Sequence, residues 1–230
     1  MTPVTEIVRI PLKPGADAAP VDRVTDALVT TPGCLRVRTS RLHEDGDAVL
    51  MCVDWTSLAA HRAFMADEAV YGKLLRDLEP ALRGAVSMLH VGFEPFPPTV
   101  LDGAGKEGGG GKSAVAEFVQ LFFPGGDGFS GDEMAATALG VQHFLTEVEK
   151  EGPEGYTGET AAGWGVEERE FKGEKCRVFA LVIGWDSVQA HMNFRETEGF
   201  KKAIPIFRGL EGLRGSEMCH VSSKTVAGRG

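Results

Sequence analysis

Apolar and polar residues alternate in some stretches of the first hundred positions and follow a three-to-four-residue spacing in others. The alternation predicts β-strands, and the wider spacing predicts helices that bury one face. Asp45-Gly46 predicts a hairpin turn, and Ser57 is a predicted helix N-cap. The predicted order is β-α-β-β-α-β, with strands over 4–12, 35–42, 48–55 and 86–93, and helices over 22–29 and 57–78 with an interruption near Asp67.

The same pattern occurs a second time along the chain. Met88 and His90 recur 130 positions later as Met218 and His220. Upstream motif residues show the same offset: Trp55, Ser57, His61 and Phe64 recur as Trp185, Ser187, His191 and Phe194. A repeat of this length predicts two copies of one supersecondary unit.

The repeats set the predicted domain boundaries. We expect a first repeat over residues 1–96, a Gly- and Pro-rich linker over 97–113 and a second repeat over 114–230. The first strands are offset by only 111 positions, so the second repeat has extra residues, which we assign to a longer first helix and an inserted loop near 151–168. The linker composition predicts an exposed and mobile connection from about Pro98 to Lys112.

The linker contains two patterns that resemble nucleotide-binding motifs. Residues 103–108 match GxGxxG, and residues 108–113 read GGGGKS. Both motifs bind phosphate only where a helix begins directly after the glycines. No helix is predicted there, so we reject a dinucleotide or nucleoside triphosphate site.

Charge and composition exclude several partners. The formal net charge is −9, which disfavours nucleic acid and an anionic membrane surface. No stretch approaches the ~20 apolar residues of a membrane-spanning helix, and we expect no signal peptide and no membrane partner. The chain has 4 cysteines in no CxxC pattern. Reduced thiols are typical of the cytoplasm, which is the expected location.

The run Trp-x-Ser-x-x-x-His-x-x-Phe after an apolar strand resembles the dimeric α/β-barrel superfamily, and most of all its antibiotic biosynthesis monooxygenase (ABM) domains. It occurs as WTSLAAHRAF from Trp55 and as WDSVQAHMNF from Trp185. The resemblance implies an α+β fold in which two ferredoxin-like repeats pack sheet to sheet as an intramolecular dimeric α/β barrel. It also implies a pseudo-dimer within one chain, and a further homodimer is possible.

The resemblance also bears on cofactors. The axial histidine of the haem-degrading members would fall near Leu74 and Ile204, which cannot ligate iron. The catalytic histidine of a polyketide cyclase of this fold would fall near Val70 and Phe200. We therefore expect no cofactor.

Four histidines are the candidate catalytic groups, because imidazole titrates near neutral pH. His220 and His191 are preferred, and His90, His61 and Tyr71 are the weaker candidates. His61 and His191 have a second interpretation as packing residues of the shared motif, and His90 and His220 as satisfied core histidines. Two histidines on equivalent strands could approach a metal, but no third ligand is apparent, so no metal is predicted.

Residues that are not repeated suggest where one site has been retained. Tyr156 and Trp164 fall in the predicted inserted loop, which is interpreted as a lid or as a loop packed by its own aromatic residues. We expect one dominant apolar cavity in the second half, with His220 or His191 as its titratable group. The expected ligand-pocket residues are Phe194, Trp185, Met218, Tyr156 and Trp164.

Glu6 and Glu117 begin equivalent strands among apolar neighbours. Each is either an inward carboxylate with a raised pKa or an edge charge that blocks strand pairing. The second interpretation is the one favoured from the sequence.

Three functions remain open. The first is a cofactor-independent enzyme of the oxygenase, cyclase or isomerase type, acting on a small apolar or aromatic molecule of secondary metabolism, such as a monooxygenase or a polyketide cyclase. The second is a non-catalytic ligand-binding or stress-related barrel. The third is a haem-binding protein.

Overall fold

The computed structural model describes residues 2–105 and 110–229. In the first repeat, the predicted order of elements is confirmed, and the interruption near Asp67 divides the second helix into two. The elements are β1 (Val4–Pro11), α1 (Ala19–Leu28), β2 (Cys34–Arg41), β3 (Ala48–Trp55), α2 (Leu58–Met65), α3 (Tyr71–Leu78) and β4 (Ser87–Val91). Ser57 is the N-cap of α2, and its hydroxyl accepts a hydrogen bond from the amide of Ala60.

The second repeat follows the same order with additions. Its elements are β5 (Val115–Pro124), α4 (Gly131–Glu151), β6 (Tyr156–Trp164), β7 (Arg169–Phe171), β8 (Glu174–Trp185), α5 (Val188–Arg195), α6 (Glu198–Arg208), β9 (Gly215–Val221) and β10 (Lys224–Ala227). The prediction of a loop near 151–168 is wrong for most of that stretch, because β6 is the counterpart of β2. The added residues lengthen α4 and form β7.

Each repeat contributes four corresponding strands to one antiparallel sheet, and these strands have matching orders, β2-β3-β1-β4 and β6-β8-β5-β9. The first sheet has the order β10-β2-β3-β1-β4 and the second β6-β8-β5-β9, with β7 paired to β8. The inner faces of both sheets share one apolar cluster that includes Ile7, Leu50, Phe118 and Val182. The barrel interior is therefore a packed core, and the helices cover the outer face of each sheet.

The C-terminal segment of each repeat pairs with a strand of the other repeat. Strand β10, which follows the second repeat, pairs with β2 of the first. The segment after β4 reaches the second sheet, where Glu94 pairs with Ala162. Each repeat thus completes the other's sheet, as expected of a dimeric barrel contained in one chain.

Part of the linker is buried, although its composition predicts an exposed segment. Val100 and Leu101 are buried in the barrel core. The carboxylate of Asp102 is also buried and accepts hydrogen bonds from Arg36 and Arg38. The expectation of an exposed segment is wrong at these positions. Residues 106–109, which include the last three positions of the rejected GxGxxG pattern, lie outside the described residues.

The described helices are also informative about membranes. None of them combines the length and the apolar composition that a membrane-spanning helix requires.

Candidate functional site

Glu6 lies in the middle of the first sheet rather than at an edge, because β1 pairs with both β3 and β4. Its side chain is buried, and the indole Nε1 of Trp55 donates a 2.9 Å hydrogen bond to its Oε2. The favoured edge-charge interpretation is therefore wrong. Glu117 has the same position in β5 and accepts a 3.1 Å hydrogen bond from Trp185. Both carboxylates point into the protein, on the side of each sheet that the helices cover.

A chain of titratable side chains begins at Glu6. Its Oε2 lies 3.4 Å from Nε2 of His61. The Nδ1 of His61 lies 2.7 Å from Nε2 of His90, and Nδ1 of His90 lies 2.8 Å from Oε1 of Glu167. We call Glu6, His61, His90 and Glu167 the first relay. It leads from a buried carboxyl to a carboxylate whose side chain is 40% exposed.

The second repeat contains the same arrangement. Glu117 lies 3.5 Å from Nε2 of His191, and His191 Nδ1 lies 2.8 Å from Nε2 of His220. Nδ1 of His220 is hydrogen-bonded to Glu44, whose side chain is 41% exposed. We call Glu117, His191, His220 and Glu44 the second relay. All four histidine candidates therefore belong to two pseudo-symmetric relays.

The last member of each relay comes from the opposite repeat. Glu167 lies between β6 and β7 of the second repeat, and Glu44 lies in the β2–β3 hairpin of the first. Each also accepts a hydrogen bond from the backbone amide of its histidine, His90 or His220. A relay is thus complete only when both repeats are folded together. No pattern in the sequence marks Glu44 or Glu167 as a partner of these histidines.

Burial sets the proton affinities along the relays. It raises the pKa of Glu6 to about 7 and that of Glu117 to about 7, against the hydrogen bonds from Trp55 and Trp185. It lowers the pKa of His61 to about 4. Partial burial acts to raise the pKa of Glu167, but hydrogen bonds from the side chain and backbone of His90 outweigh it, and the net shift is downward.

The contacts of the first relay allow two arrangements with the same number of protons. In one, Glu6 is protonated, His61 and His90 are neutral, and each His Nδ1–H donates outward toward the ionised Glu167. In the other, Glu6 is ionised, His61 carries its proton on Nε2, and His90 is an imidazolium that donates to both neighbours. Moving protons along the relay converts one arrangement into the other. The 3.4 Å gap between Glu6 and His61 must shorten for transfer, as catalytic hydrogen bonds often do when a ligand binds.

A cavity of about 280 Å³ lies between the first sheet and helices α1 to α3. Its polar groups are Glu6, His61 and Tyr71, and its remaining lining residues are apolar. Burial, followed by the charge of Glu6, raises the pKa of Tyr71. Among the described residues, Oε1 of Glu6 has no hydrogen-bond partner, so this oxygen is available to a ligand. We call this space the first cavity.

A second cavity, of about 220 Å³, occupies the equivalent place in the second repeat. Glu117 and His191 line it, together with three of the expected pocket residues, Trp185, Phe194 and Met218. The expectation of one dominant cavity in the second half is wrong, because each repeat has a cavity and the two are of similar volume. His90 and His220 line neither cavity and lie behind His61 and His191, to which they are hydrogen-bonded.

Tyr156 and Trp164 do not line either cavity. Tyr156 packs on Trp185 from strand β6. Trp164 packs edge-on against Phe179, and its indole donates to the carbonyl of Met134. The interpretation of these two residues as a lid is wrong, because their backbone is fixed in a sheet.

Glu6, His61 and His90 also meet a distance criterion for metal binding, since one ligand atom from each lies within 4.8 Å of the others. The 2.7 Å contact between His61 Nδ1 and His90 Nε2 argues against a metal. Two imidazole nitrogens at that distance point at each other and share a proton. A metal bound by both residues would need one of the rings to turn.

Two four-stranded ferredoxin-like units that face each other, with a cavity under the helices of each, define the class of single-chain dimeric α/β barrels. The model of the family described as antibiotic biosynthesis monooxygenase, ABM, matches residues 3–70. Residues 3–70, most of the first repeat, are therefore similar to an ABM domain, and the resemblance inferred from the Trp-Ser-His-Phe motif is confirmed.

Solved structures support the same fold over the whole chain. A provisionally designated monooxygenase from Lactobacillus acidophilus NCFM has a TM-score of 0.60 and 9% identity, covering 100% of this chain and 98% of its own. One from Fusobacterium nucleatum has a TM-score of 0.61 and 10% identity, covering 100% and 95%. An anthrone oxidase-like protein has a TM-score of 0.67 and 14% identity, covering 100% and 95%. At these identities the likeness shows the fold alone. No curated protein matches the chain.

Proposed function

We propose that the protein is a cofactor-independent enzyme that removes a proton from a small, apolar or aromatic molecule bound in its cavities. The observation that carries this proposal is the buried carboxyl of Glu6, which lines an apolar cavity and has a pKa raised to about 7. A general base works best when its pKa lies near the operating pH. Glu117 has the same position and the same shift in the second cavity.

In the first cavity, the ring system of the substrate packs against residues such as Phe64 and Met51. Its acidic C–H or O–H faces Oε1 of Glu6, while Trp55 holds the other oxygen in place. The hydroxyl of Tyr71 lies in the same cavity and donates to an oxygen of the substrate, where negative charge develops as the proton leaves.

The relay then carries the proton away from the substrate. A half-turn of the protonated carboxyl group, in which the Trp55 hydrogen bond passes from one oxygen to the other, brings the proton taken up at Oε1 to the side that faces His61. Glu6 then gives this proton to Nε2 of His61, and His61 passes its own proton from Nδ1 to Nε2 of His90. His90 becomes an imidazolium beside the ionised Glu167. Because Glu167 is partly exposed, water can accept the proton there. The buried base is restored without opening the cavity to solvent.

The resulting substrate anion determines the reaction type. It can react with dissolved O₂, close a ring within the same molecule, or take back a proton at another position, which correspond to an oxygenase, a cyclase and an isomerase. The monooxygenase designations of the structural neighbours, and the anthrone oxidase-like name of one, favour the oxygenase.

Anthrone is a suitable probe, because its methylene protons are acidic and its anion is stabilised by two rings and a carbonyl. Without O₂, the protein should accelerate exchange of these protons for deuterium in D₂O. In air, anthrone and O₂ should give anthraquinone and water in equal amounts. Exchange at the buffer rate, together with the absence of any oxidation above background, would count against the proposal.

Replacing Glu167→Gln tests the relay. The neutral amide of Gln cannot stabilise an imidazolium at His90. Without the negative charge of Glu167, the pKa of Glu6 is also lower. We expect slower turnover and a pH–rate midpoint below that of the wild type, since the reaction needs ionised Glu6 and its rate rises with pH through about 7. Glu170→Gln removes an exposed charge from the neighbouring strand and is the matched control. A midpoint that moves equally in both variants would rule out the relay.

Two other functions fit the structure less well. A ligand-binding barrel without catalysis would contain the cavities but would not need a carboxyl that titrates near neutral pH. A haem-binding protein needs an imidazole with a free nitrogen at a cavity, whereas both ring nitrogens of His61 and His90 already have partners. We also propose a cytoplasmic location, which the four free cysteines favour, and a pseudo-dimer that can associate further with a second copy.

A further inference from the structure

The two cavities have equivalent acid–base groups but different polar linings. The first cavity adds only the phenol of Tyr71 to its Glu and His. The second cavity adds Arg195, Arg208 and Ser216. Within residues 2–105 and 110–229, no Lys or Arg lines the first cavity. The repeats have therefore diverged in charge at the places where a ligand would be held.

The repeat alignment identifies the substitutions responsible. Arg195 follows Phe194 of the shared motif and corresponds to Met65 of the first repeat, which follows Phe64. Aromatic packing shows a second exchange. Tyr71 meets Phe64 edge to face, and in the second repeat Phe200 meets Phe194 in the same way, so the phenol hydroxyl has been lost.

Both arginines of the second cavity are exposed residues that have no ion-pair partner among residues 2–105 and 110–229. In the described parts of the chain, neither guanidinium has a carboxylate within 4.0 Å. The one side-chain hydrogen bond of Arg195 is a 3.9 Å contact to the sulfur of Met192. The charge of Arg195 also lowers the pKa of the buried Glu117, although burial is the larger influence and raises it. The positive charge of Arg195 therefore acts on a group that lines the cavity.

We propose that the second cavity binds small aromatic or aliphatic carboxylates in addition to neutral molecules, whereas the first cavity binds neutral, phenol-type molecules and no carboxylates. The apolar part of the acid lies against Phe144, Phe194 and Phe207, and its carboxylate is held by Arg195 and Arg208. Guanidinium groups bind carboxylates with paired hydrogen bonds, which a neutral hydroxyl cannot reproduce. Both cavities are sites of the proposed function, on which this selectivity for carboxylates rests, but binding can be measured without turnover.

The test uses 2-naphthoate and 2-naphthol, which share one ring system and differ in charge at neutral pH. Isothermal titration calorimetry should give one naphthoate per chain and two naphthols per chain. Arg195→Met restores the residue of the first repeat. It should weaken naphthoate about ten- to a hundredfold, the range expected for a lost charge-assisted hydrogen bond, and leave naphthol unchanged. Arg195→Lys keeps the charge and should retain part of the affinity.

Arg62→Met is the matched control, because it removes one exposed arginine from the equivalent helix α2 without touching either cavity. It should bind naphthoate as the wild type does. Equal naphthoate affinity in Arg195→Met and wild type, two equivalent naphthoate sites, or no naphthoate binding would each overturn the proposal. Failure of anthrone exchange would overturn the proposed reaction instead, so the two failures can be told apart.

Discussion

Replacing both buried carboxyls, Glu6→Gln together with Glu117→Gln, should reduce anthrone exchange by about 10²- to 10⁴-fold, the contribution of a positioned general base. The amide has nearly the same shape and can still accept the indole hydrogen bond from Trp55 or Trp185. The fold should therefore survive while the base is lost. Thermal unfolding and exchange rates measured on the same samples check both expectations.

The single variants show how the two cavities share the reaction. Glu6→Gln should remove the activity of the first cavity and leave that of the second, and Glu117→Gln should do the reverse. Glu68→Gln, a change at an exposed position after α2, serves as the control for losing one carboxylate. A double variant that exchanges anthrone as fast as this control would show that neither carboxyl is the base.

Asp102→Asn should lower the free energy of unfolding by about 3 kcal/mol, because removing one partner from a buried ion pair leaves an uncompensated charge. Arg38 is fully buried and bridges Asp102 and Asp54, with contacts of 2.5 Å and 2.9 Å. Asp54 remains in the variant, which places the expected loss at the low end of the usual range. Urea denaturation followed by tryptophan fluorescence measures the change.

The control for that variant is Asp77→Asn, which breaks the exposed pair with Lys73 on α3. Exposed pairs contribute little, so its urea midpoint should stay with that of the wild type. If Asp102→Asn also leaves the midpoint in place, the segment that joins the repeats is not anchored as described.

The fold was largely predictable because the sequence contains the pattern of one repeat twice. The Trp-Ser-His-Phe motif and the 130-residue offset identify equivalent strands and helices, and local patterns such as Asp45-Gly46 mark the turns. The second-repeat loop was mispredicted because Tyr156–Trp164 is rich in Gly, Thr and Ala. Pairing with β8 makes it a strand, and that pairing is a tertiary effect.

The site was only partly predictable. The histidines belong to the repeated motif and could be found, but their partners could not. Glu44 and Glu167 reach their histidines across 176 and 77 residues of sequence, and contact between the repeats brings them there. The one available signal was an acidic residue in the corresponding hairpin of each repeat, and such residues are common in turns. Glu6 and Glu117 were misjudged because strand order, unlike the alternation of residues, does not follow from local sequence.

The linker was misjudged for a related reason. Proline and glycine on either side of Val100, Leu101 and Asp102 describe a flexible segment when composition alone is considered. An ion pair holds this segment in place, because the buried guanidinium of Arg38 on β2 has Asp102 as a counter-ion. Only the folded barrel brings the two together.

The most direct test of the account is a pH titration of the glutamate side-chain carboxyl carbons by carbon-13 NMR, with Glu6→Gln and Glu117→Gln used to assign the signals. The account predicts two carboxyl groups that titrate near pH 7, one absent from each variant. Two ionised carboxyls with the ordinary glutamate pKa of about 4.3 would contradict it, because carboxyls of that kind would be neither buried bases nor the start of a proton relay.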